Sequence, residues 1–214
     1  KKYLVVCTPR TGSRTLCQWI HQSYAELPGY LGYLSEFFHK DLFEAKWRNS
    51  TEFSTPEEEV EGYFYKVPIF QKDRLFYKDE QDRPRAGWTT EKQWRLDKLS
   101  KSHGWYLIKC FGRDLLDEQV YRSLNDQYQL VFLERADKWR QFLSYAYMHS
   151  TRNINVDPRG GMGSPQAINE DLLNYFVEGL FAYEKIRQQE PTETRIVLTF
   201  EEIFDKGQIN VRYL

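Results

Sequence analysis

The sequence lacks an excess of charge of either sign and lacks any long apolar run. Its 30 Lys and Arg residues nearly balance 31 Asp and Glu residues, so the formal net charge is −1 over 214 residues. Such a chain has no overall field that attracts nucleic acid or an anionic membrane, and an anionic ligand must be held by local basic groups. No apolar stretch approaches the roughly 20 residues of a membrane helix. We expect no nucleic-acid partner and no membrane span.

Cysteine is scarce, and we expect no signal peptide at the start of the sequence. Cys7, Cys17 and Cys110 are three in number, have no metal-ligand spacing and lie among apolar residues. That pattern is typical of buried free thiols and predicts no metal site. The apolar run at the start ends at Thr8 and Pro9, too early for a signal peptide. The sequence therefore predicts a cytoplasmic protein.

What is present is the composition of a globular domain. Hydrophobic residues make up 41% and aromatic residues 16% of the chain, which is enough for a buried core. We predict a single α/β domain over residues 1–214, with a mostly parallel sheet flanked by helices, because strand-like runs alternate with helical patterns. The predicted strands are 3–8, 105–111, 129–133 and 195–199, with a weaker candidate at 63–67. The predicted helices are 13–24, 115–124, 138–150 and 165–188. Residues 40–102 differ in texture and are predicted to form an insertion.

The loop after the first predicted strand is a candidate anion site. It has the sequence Thr8-Pro9-Arg10-Thr11-Gly12-Ser13-Arg14-Thr15. A loop between a strand and a helix directs backbone N–H groups, hydroxyls and the helix dipole at one point, which favours an anion. Gly12 lets the backbone approach a ligand, while Arg10 and Arg14 offer charge-assisted hydrogen bonds. The alternative is an ordinary capped helix start with two surface arginines.

Two other phosphate-handling loops fit this sequence poorly. A nucleoside triphosphatase loop requires Gly, four residues and then Gly-Lys before Ser or Thr, and no lysine stands here. A cysteine phosphatase loop has five residues between its nucleophile and its Arg. Six residues separate Cys7 from Arg14, and Val6 stands where that family has His. Neither reaction is the one that this loop predicts.

A second basic group follows a later predicted strand. Arg135 falls at the carboxyl edge of the sheet, where open α/β folds bind ligands. Ser144 lies on the next helix, one turn after Arg140, and we expect Gln141 and Phe142 to project elsewhere. Arg135 and Ser144 are therefore expected to converge on one phosphate. The alternative is an amphipathic helix with a solvated basic face.

Together the two groups resemble the sulfotransferase family that uses 3′-phosphoadenosine 5′-phosphosulfate (PAPS). In that family a loop after the first strand grips the 5′-phosphosulfate, and a later strand and helix supply an Arg and a Ser to the 3′-phosphate. The similarity is closest to the bacterial branch that sulfates trehalose, which shares the pattern of residues 8–17 and the Arg-x-Asp-Lys run at 135–138. Gln141 and Ser144 stand at the same offsets, and residues 198–203 resemble the family's Tyr-Glu-Asp-Leu segment.

The resemblance implies a P-loop-like sulfotransferase fold and transfer of a sulfuryl group from PAPS to a hydroxyl-bearing acceptor, with a sugar among the candidates. The product nucleotide is then adenosine 3′,5′-bisphosphate (PAP). The implied cofactor-binding residues are Arg10, Thr11, Gly12, Ser13, Arg14, Thr15, Arg135 and Ser144. Arg10 is also implied in catalysis, because it would stabilise charge on the departing 5′-phosphate.

The general base implied by the trehalose-sulfating branch is a Glu that precedes an aromatic pair. Glu36 matches it, followed by Phe37 and Phe38. Aromatic shielding favours the protonated form of a carboxyl group, which suits a residue that must accept a proton. The alternative is that Glu36 caps a helix, and His39 is then the fallback base. The nearby tyrosines fit stacking on a sugar ring or packing in the core.

Two features depart from the family pattern. Arg14 stands where the family usually has Thr, so Thr15 is expected to provide the hydroxyl or Arg14 to replace it with charge. The Gly-rich loop of eukaryotic members has no counterpart, since residues 160–163 lie too early and are expected to form a flexible loop. A rival interpretation from another class is a non-catalytic nucleotide- or anion-binding module derived from the same fold.

Overall fold

A five-stranded, all-parallel sheet organises the part of the chain that the structure describes. The computed structural model describes residues 2–40, 87–151 and 170–205. The strands, in chain order, are β1 Tyr3–Cys7, β2 Tyr30–Ser35, β3 Trp105–Phe111, β4 Gln129–Glu134 and β5 Ile196–Thr199. They stand in the order β2-β3-β1-β4-β5, and each neighbouring pair is parallel. The prediction of an α/β chain with a mostly parallel sheet is confirmed.

Helices connect the strands. In chain order the described α-helices are α1 Ser13–Tyr24, α2 Gly87–Lys101, α3 Glu118–Asn125, α4 Lys138–Thr151, α5 Glu170–Gln189 and α6 Phe200–Asp205, and a short 3-10 turn covers Asp114–Leu116. Within these stretches no helix combines the length and the apolarity needed to cross a membrane.

The central strand β1 explains why the sheet holds together. All five of its residues are buried, and it pairs with β3 on one side and β4 on the other. A strand covered by helices on both faces needs apolar residues at every position rather than at alternate ones. The Tyr-Leu-Val-Val-Cys run meets that need and makes β1 the centre of the core.

Alternate residues of the strands build one core on each face of the sheet. On one face Val5 and Leu133 pack with Leu16 and Ile20 of α1 and with Ile203 of α6. On the other face the strands pack against α2, α3 and α5, through Leu96, Leu99, Val120, Leu124, Tyr183 and Ile186. The contact with α5 is close, because a Cβ on Gly112 would lie 2.4 Å from the Tyr183 Cα. The molecule thus has three layers, helix, sheet and helix.

The predicted elements differ from the observed ones in the region of β2. No strand was predicted at Tyr30–Ser35, where Gly32 adopts a φ of 138° and the register with β3 shifts. Glycine within a strand disrupts the apolar pattern that marks strands in a sequence. The weaker strand candidate at 63–67 and the expected flexible loop at 160–163 lie outside the described residues.

The expected insertion at 40–102 ends in an integral part of the fold. Its last part is α2, which leads into β3 and buries Leu96 and Leu99 against the sheet. Residues 41–86 lie outside the described part of the chain. The apolar face of that helix therefore belongs to the main core.

The order of the strands determines where a ligand can bind. The chain proceeds from β1 to β2 and β3 on one side, and then crosses to β4 and β5 on the other. In open parallel sheets a crevice forms at the carboxyl ends of the strands where this direction changes. That point lies between β1 and β4, beside the loop at 8–12 and beside Arg135.

Candidate functional site

The loop between β1 and α1 has an unusual backbone. Arg10 has a φ of 65° and Gly12 a φ of 75°, both in the left-handed region. A residue other than glycine pays roughly 1–2 kcal/mol for that conformation, so contacts elsewhere must maintain it at Arg10. Gly12 precedes α1 and provides no side-chain cap. The first N–H groups of the helix are thus left to other acceptors.

Arg10, Ser144 and Arg135 meet beside this loop. The Nε atom of Arg10 donates to the Ser144 Oγ atom at 3.0 Å. The Nη1 atom of Arg135 donates to the backbone carbonyl of Arg10 at 3.5 Å. The structure therefore brings the two basic groups found in the sequence into direct contact, although 125 residues separate Arg10 from Arg135.

The electrostatics of this group favour an anion. Burial lowers the pKa of Arg10, and the nearby charge of Arg135 lowers it further. Burial also lowers the pKa of Arg135, in part against the opposing effect of Glu201. The Nε atom of Arg135 is buried without a hydrogen-bond partner, and the carboxylate of Glu201 lies 3.9 Å from it. Two guanidinium groups that repel each other are stabilised when a negative group binds between them.

Gln141 takes part in the site, so the expectation that it projects elsewhere is wrong. Its side chain is fully buried. Its Nε2 atom donates to the Thr8 Oγ1 atom at 2.7 Å and to the Pro9 carbonyl at 2.6 Å. Residues one turn apart on a helix share a face. Gln141 lies one turn before Tyr145, which is also buried, so the buried face of α4 directs the Gln141 side chain towards β1. Gln141 therefore connects α4, which carries Ser144, to the loop.

The hydroxyls of the loop are less available than the sequence suggests. The Thr11 hydroxyl donates to the Thr8 carbonyl at 3.0 Å, and the buried Ser13 side chain faces the thiol of Cys7, whose pKa it lowers against the larger effect of burial. Thr15 is half-buried, and Arg14 is exposed. Thr11 and Ser13 can therefore offer their backbone N–H groups to a ligand rather than their hydroxyls. In this turn Thr15 is left as the residue whose hydroxyl makes no hydrogen bond within the loop.

Glu36 stands directly after β2 and is paired with a lysine. Its Oε1 atom accepts from the Lys109 Nζ atom at 2.6 Å. Burial by itself would lower the pKa of Lys109, but the Glu36 carboxylate raises that pKa well above the ordinary value. The surroundings of Glu36 are therefore ionic, not the purely aromatic shield expected from Phe37 and Phe38.

A second pair of ionisable groups follows Glu36. The Nδ1 atom of His39 lies 2.9 Å from the Asp114 Oδ1 atom, and the Asp114 Oδ2 atom accepts from the backbone N–H of Phe111 at 2.8 Å. The Phe111 ring lies between the two pairs, with its centroid 5.4 Å from the Lys109 Nζ atom and 5.1 Å from the His39 ring. The candidate base and the fallback base are thus parts of one cluster.

A cleft of about 590 Å³ opens next to this cluster. His39 and Asp114 contribute to its wall on the side of the sheet. The remaining lining residues come from neighbouring elements and are Phe38, Lys40, Trp88, Arg113, Leu116, Asp117, Glu178 and Ala182. The cleft therefore offers aromatic surface and charged groups of both signs.

The aromatic residues around Glu36 belong to the core. Tyr33 and Phe37 are buried, with 1% and 5% of their surface exposed. Tyr24 and Tyr30 pack with Trp105 at ring-centroid distances of 5.8 and 4.7 Å. Each of these side chains packs in the core or against it.

One residue of the cluster, Lys109, has a recognisable signal in the sequence. Lys109 interrupts the apolar run of β3, and a lysine is almost never fully buried unless it is paired. Its position predicts a buried partner. Asp114 and Gln141 have no such signal, because only the packing of β3 and α4 brings them to the site.

Comparisons with known proteins give no assignment. No protein-family model matches the chain, and no curated protein matches it.

The three cysteines are free and buried, as predicted. Among residues 2–40, 87–151 and 170–205, no group of three or more His, Cys, Asp or Glu side chains is arranged to hold a metal ion.

Proposed function

We propose that the chain is a PAPS-dependent sulfotransferase with a P-loop-like sulfotransferase fold. The observation that carries the proposal is the meeting of Arg10, Ser144 and Arg135 beside the loop after the central strand. A nucleotide with phosphates at both its 5′ and 3′ positions requires two anion sites close together. The loop and the end of β4 offer them at adjacent positions of one sheet edge.

The residues present fit such a nucleotide. Arg135 has a buried Nε atom with no hydrogen-bond partner, and a phosphate oxygen would supply the missing acceptor. Arg135 and Ser144 would hold the 3′-phosphate. Arg10, Gly12 and the first N–H groups of α1 would hold the 5′-phosphosulfate, since a helix start and a guanidinium both favour an anion.

The chemistry divides between the two ends of this sheet edge. PAPS supplies an activated sulfuryl group, which passes to an acceptor hydroxyl while its bond to the 5′-phosphate breaks. Glu36 accepts the proton of that hydroxyl, and its ion pair with Lys109 holds the carboxylate in place at the end of β2. Arg10 neutralises the charge that develops on the departing phosphate. The cleft beside His39 gives the acceptor room to approach.

A transfer assay tests this proposal. The full chain is incubated with PAPS and a panel of sugars and other hydroxyl compounds, and PAP and sulfated products are measured by mass spectrometry. We expect PAP and a sulfated product in equal amounts with at least one acceptor. Binding of PAP without turnover across the panel would favour the non-catalytic binding module, and no binding of PAP at all would contradict both.

A further inference from the structure

An ion pair is buried within α2. Arg95 and Glu91 stand one helical turn apart and are 2% and 1% exposed. The Arg95 Nε atom donates to the Glu91 Oε1 atom at 2.8 Å, and the Arg95 Nη2 atom lies 2.7 Å from the same oxygen. Such a pair loses its hydration on folding, which offsets most of its attraction. Stability alone is therefore a weak reason for two charges at this place.

The guanidinium of Arg95 reaches out of α2 to the segment that follows β2. Its Nη1 atom donates to the backbone carbonyl of Phe37. The guanidinium carbon also lies 4.9 Å from the centroid of the Phe37 ring. Arg95 thus contacts both the backbone and the side chain of the residue next to Glu36, while Glu91 fixes its orientation.

The backbone at Glu36 needs such support. Glu36 has a φ of 53°, a left-handed conformation that is costly for a residue with a side chain. From the side of the sheet, its N–H donates to the Lys109 carbonyl at 3.0 Å. From the other side, its own carbonyl accepts from the His39 N–H at 3.0 Å. Arg95 closes this turn through the intervening Phe37.

We infer that Arg95 is a positioning residue that holds Glu36 in the conformation from which it acts as a base, with Glu91 fixing the guanidinium. The consequence for turnover rests on the proposed function, whereas the consequence for the backbone does not. Arg95 touches neither nucleotide site, so its loss should affect proton transfer and leave nucleotide binding intact. A displacement of a reacting group by about 1 Å lowers rates about 100-fold.

The test uses the double variant Glu91→Leu with Arg95→Met, which replaces the buried pair by apolar side chains so that no charge is left unpaired. Arg95→Lys keeps the charge but lacks the planar fork. Lys98→Met is the matched control, because it removes one positive charge from the same helix, at a side chain that lies over the Trp94 ring. For each full-length variant we measure kcat, the Kd of PAP and, by NMR, amide hydrogen exchange at Glu36 and His39.

In the double variant we expect kcat to fall about 100-fold, the Kd of PAP to stay within about twofold, and exchange at both amides to become about 10-fold faster. Arg95→Lys should recover part of kcat, and Lys98→Met should match the wild type. Unchanged exchange at Glu36 and His39 in the double variant would overturn the inference, and so would faster exchange with an unchanged kcat. An equal loss of kcat and of PAP affinity would also overturn it, because it would indicate general loosening. If the wild type transfers no sulfuryl group, the proposed function fails and the exchange rates still decide whether Arg95 holds the turn.

Discussion

The two ends of the sheet edge that forms the site differ in how their charges are satisfied. Beside β1 and β4, Arg10 donates to a hydroxyl at 3.0 Å and Arg135 to a backbone carbonyl at 3.5 Å. Beside β2 and β3, cations meet carboxylates directly, at 2.6 Å for Lys109 and Glu36 and at 2.8 Å for Arg95 and Glu91. At the first end Arg135 keeps a buried Nε atom without a hydrogen-bond partner, although the Glu201 carboxylate lies 3.9 Å from it, whereas both cations of the second end donate to a carboxylate.

Positive residues in one crevice can therefore have different roles. Burial and the charge of Arg135 lower the pKa of Arg10, a local conflict that is typical of binding sites. Lys109 and Arg95 instead fix the position of a carboxylate and of the backbone next to it. Substitutions at the first end should therefore act on nucleotide affinity, and those at the second end on turnover or on local structure.

Glu36→Gln gives the greatest separation of the two ends. The amide accepts no proton at neutral pH, so we expect kcat to fall about 10²–10⁴-fold. The Kd of PAP should change less than about threefold, because Glu36 lies on the side of Lys109 and not of Arg10. Steady-state kinetics and calorimetric titration measure the two quantities. A parallel loss of nucleotide binding would show that the ends are not separate.

Arg135→Ala should affect the opposite end. A charge-assisted hydrogen bond contributes about 1.5–3 kcal/mol, so PAP should bind about 10- to 150-fold more weakly. Binding of ADP, which lacks a 3′-phosphate, should change much less. Calorimetry with both nucleotides provides the comparison. Equal weakening for PAP and ADP would contradict the assignment of Arg135 to the 3′-phosphate.

Gln141→Leu tests whether α4 holds the loop. The variant loses the hydrogen bonds to Thr8 and Pro9, and we expect PAP affinity to fall about 10-fold, since about 1–1.5 kcal/mol of positioning is lost. The same substitution at Gln188, an exposed residue that hydrogen-bonds Glu184 at 2.9 Å, serves as the control and should leave affinity unchanged. No effect at Gln141 would show that the loop keeps its form without α4.

The smallest expected effect concerns a paired charge away from the proposed nucleotide site. Asp117 caps α3 and lies 2.6 Å from Lys92. Its burial would raise the pKa, but the hydrogen bonds from Lys92 and from the Val120 N–H outweigh burial and lower it. Because the pKa is lower in the folded state, the charged carboxylate stabilises the fold at pH values above the unfolded-state pKa, which is near 3.9. This stabilisation is lost as the pH falls through the folded-state pKa.

Asp117→Asn retains a capping side chain and removes only the charge. We expect the wild type to exceed this variant by about 0.5 kcal/mol in the free energy of unfolding at pH 7. The difference should shrink as the pH drops below about 4. Urea denaturation at pH 7 and at a pH below about 4 measures this difference in the free energy of unfolding. A difference that grows in acid would reverse the expected sign.

The fold was largely predictable from local pattern, and the site only in part. The apolar run of β1, the loop and the bounds of α1 at Ser13–Tyr24 follow from periodicity, and the structure has the same bounds for that helix. β2 was missed because Gly32 interrupts its pattern and Gly29 directly precedes it. A short strand that depends on its neighbours for hydrogen bonds has little signal of its own.

Within the site, side chains that follow a strand directly were easier to predict than side chains brought in by packing. Arg10 and Arg135 follow β1 and β4 at the carboxyl edge, so topology alone brings them together. The side chains of Gln141 and Arg95 each extend from a helix to a loop. Their orientation depends on the rotation of the helix about its own axis relative to the sheet. A single sequence contains no direct record of that rotation.

The most direct test of the central claim is a calorimetric comparison of PAP and ADP binding to the full chain. If Arg135 and Ser144 select a 3′-phosphate, PAP should bind at least about 10-fold more tightly than ADP. At a concentration 100 times its Kd, PAP should also raise the free energy of unfolding by about 2.7 kcal/mol. Equal affinity for the two nucleotides, or no binding of PAP, would contradict a site built around two phosphates.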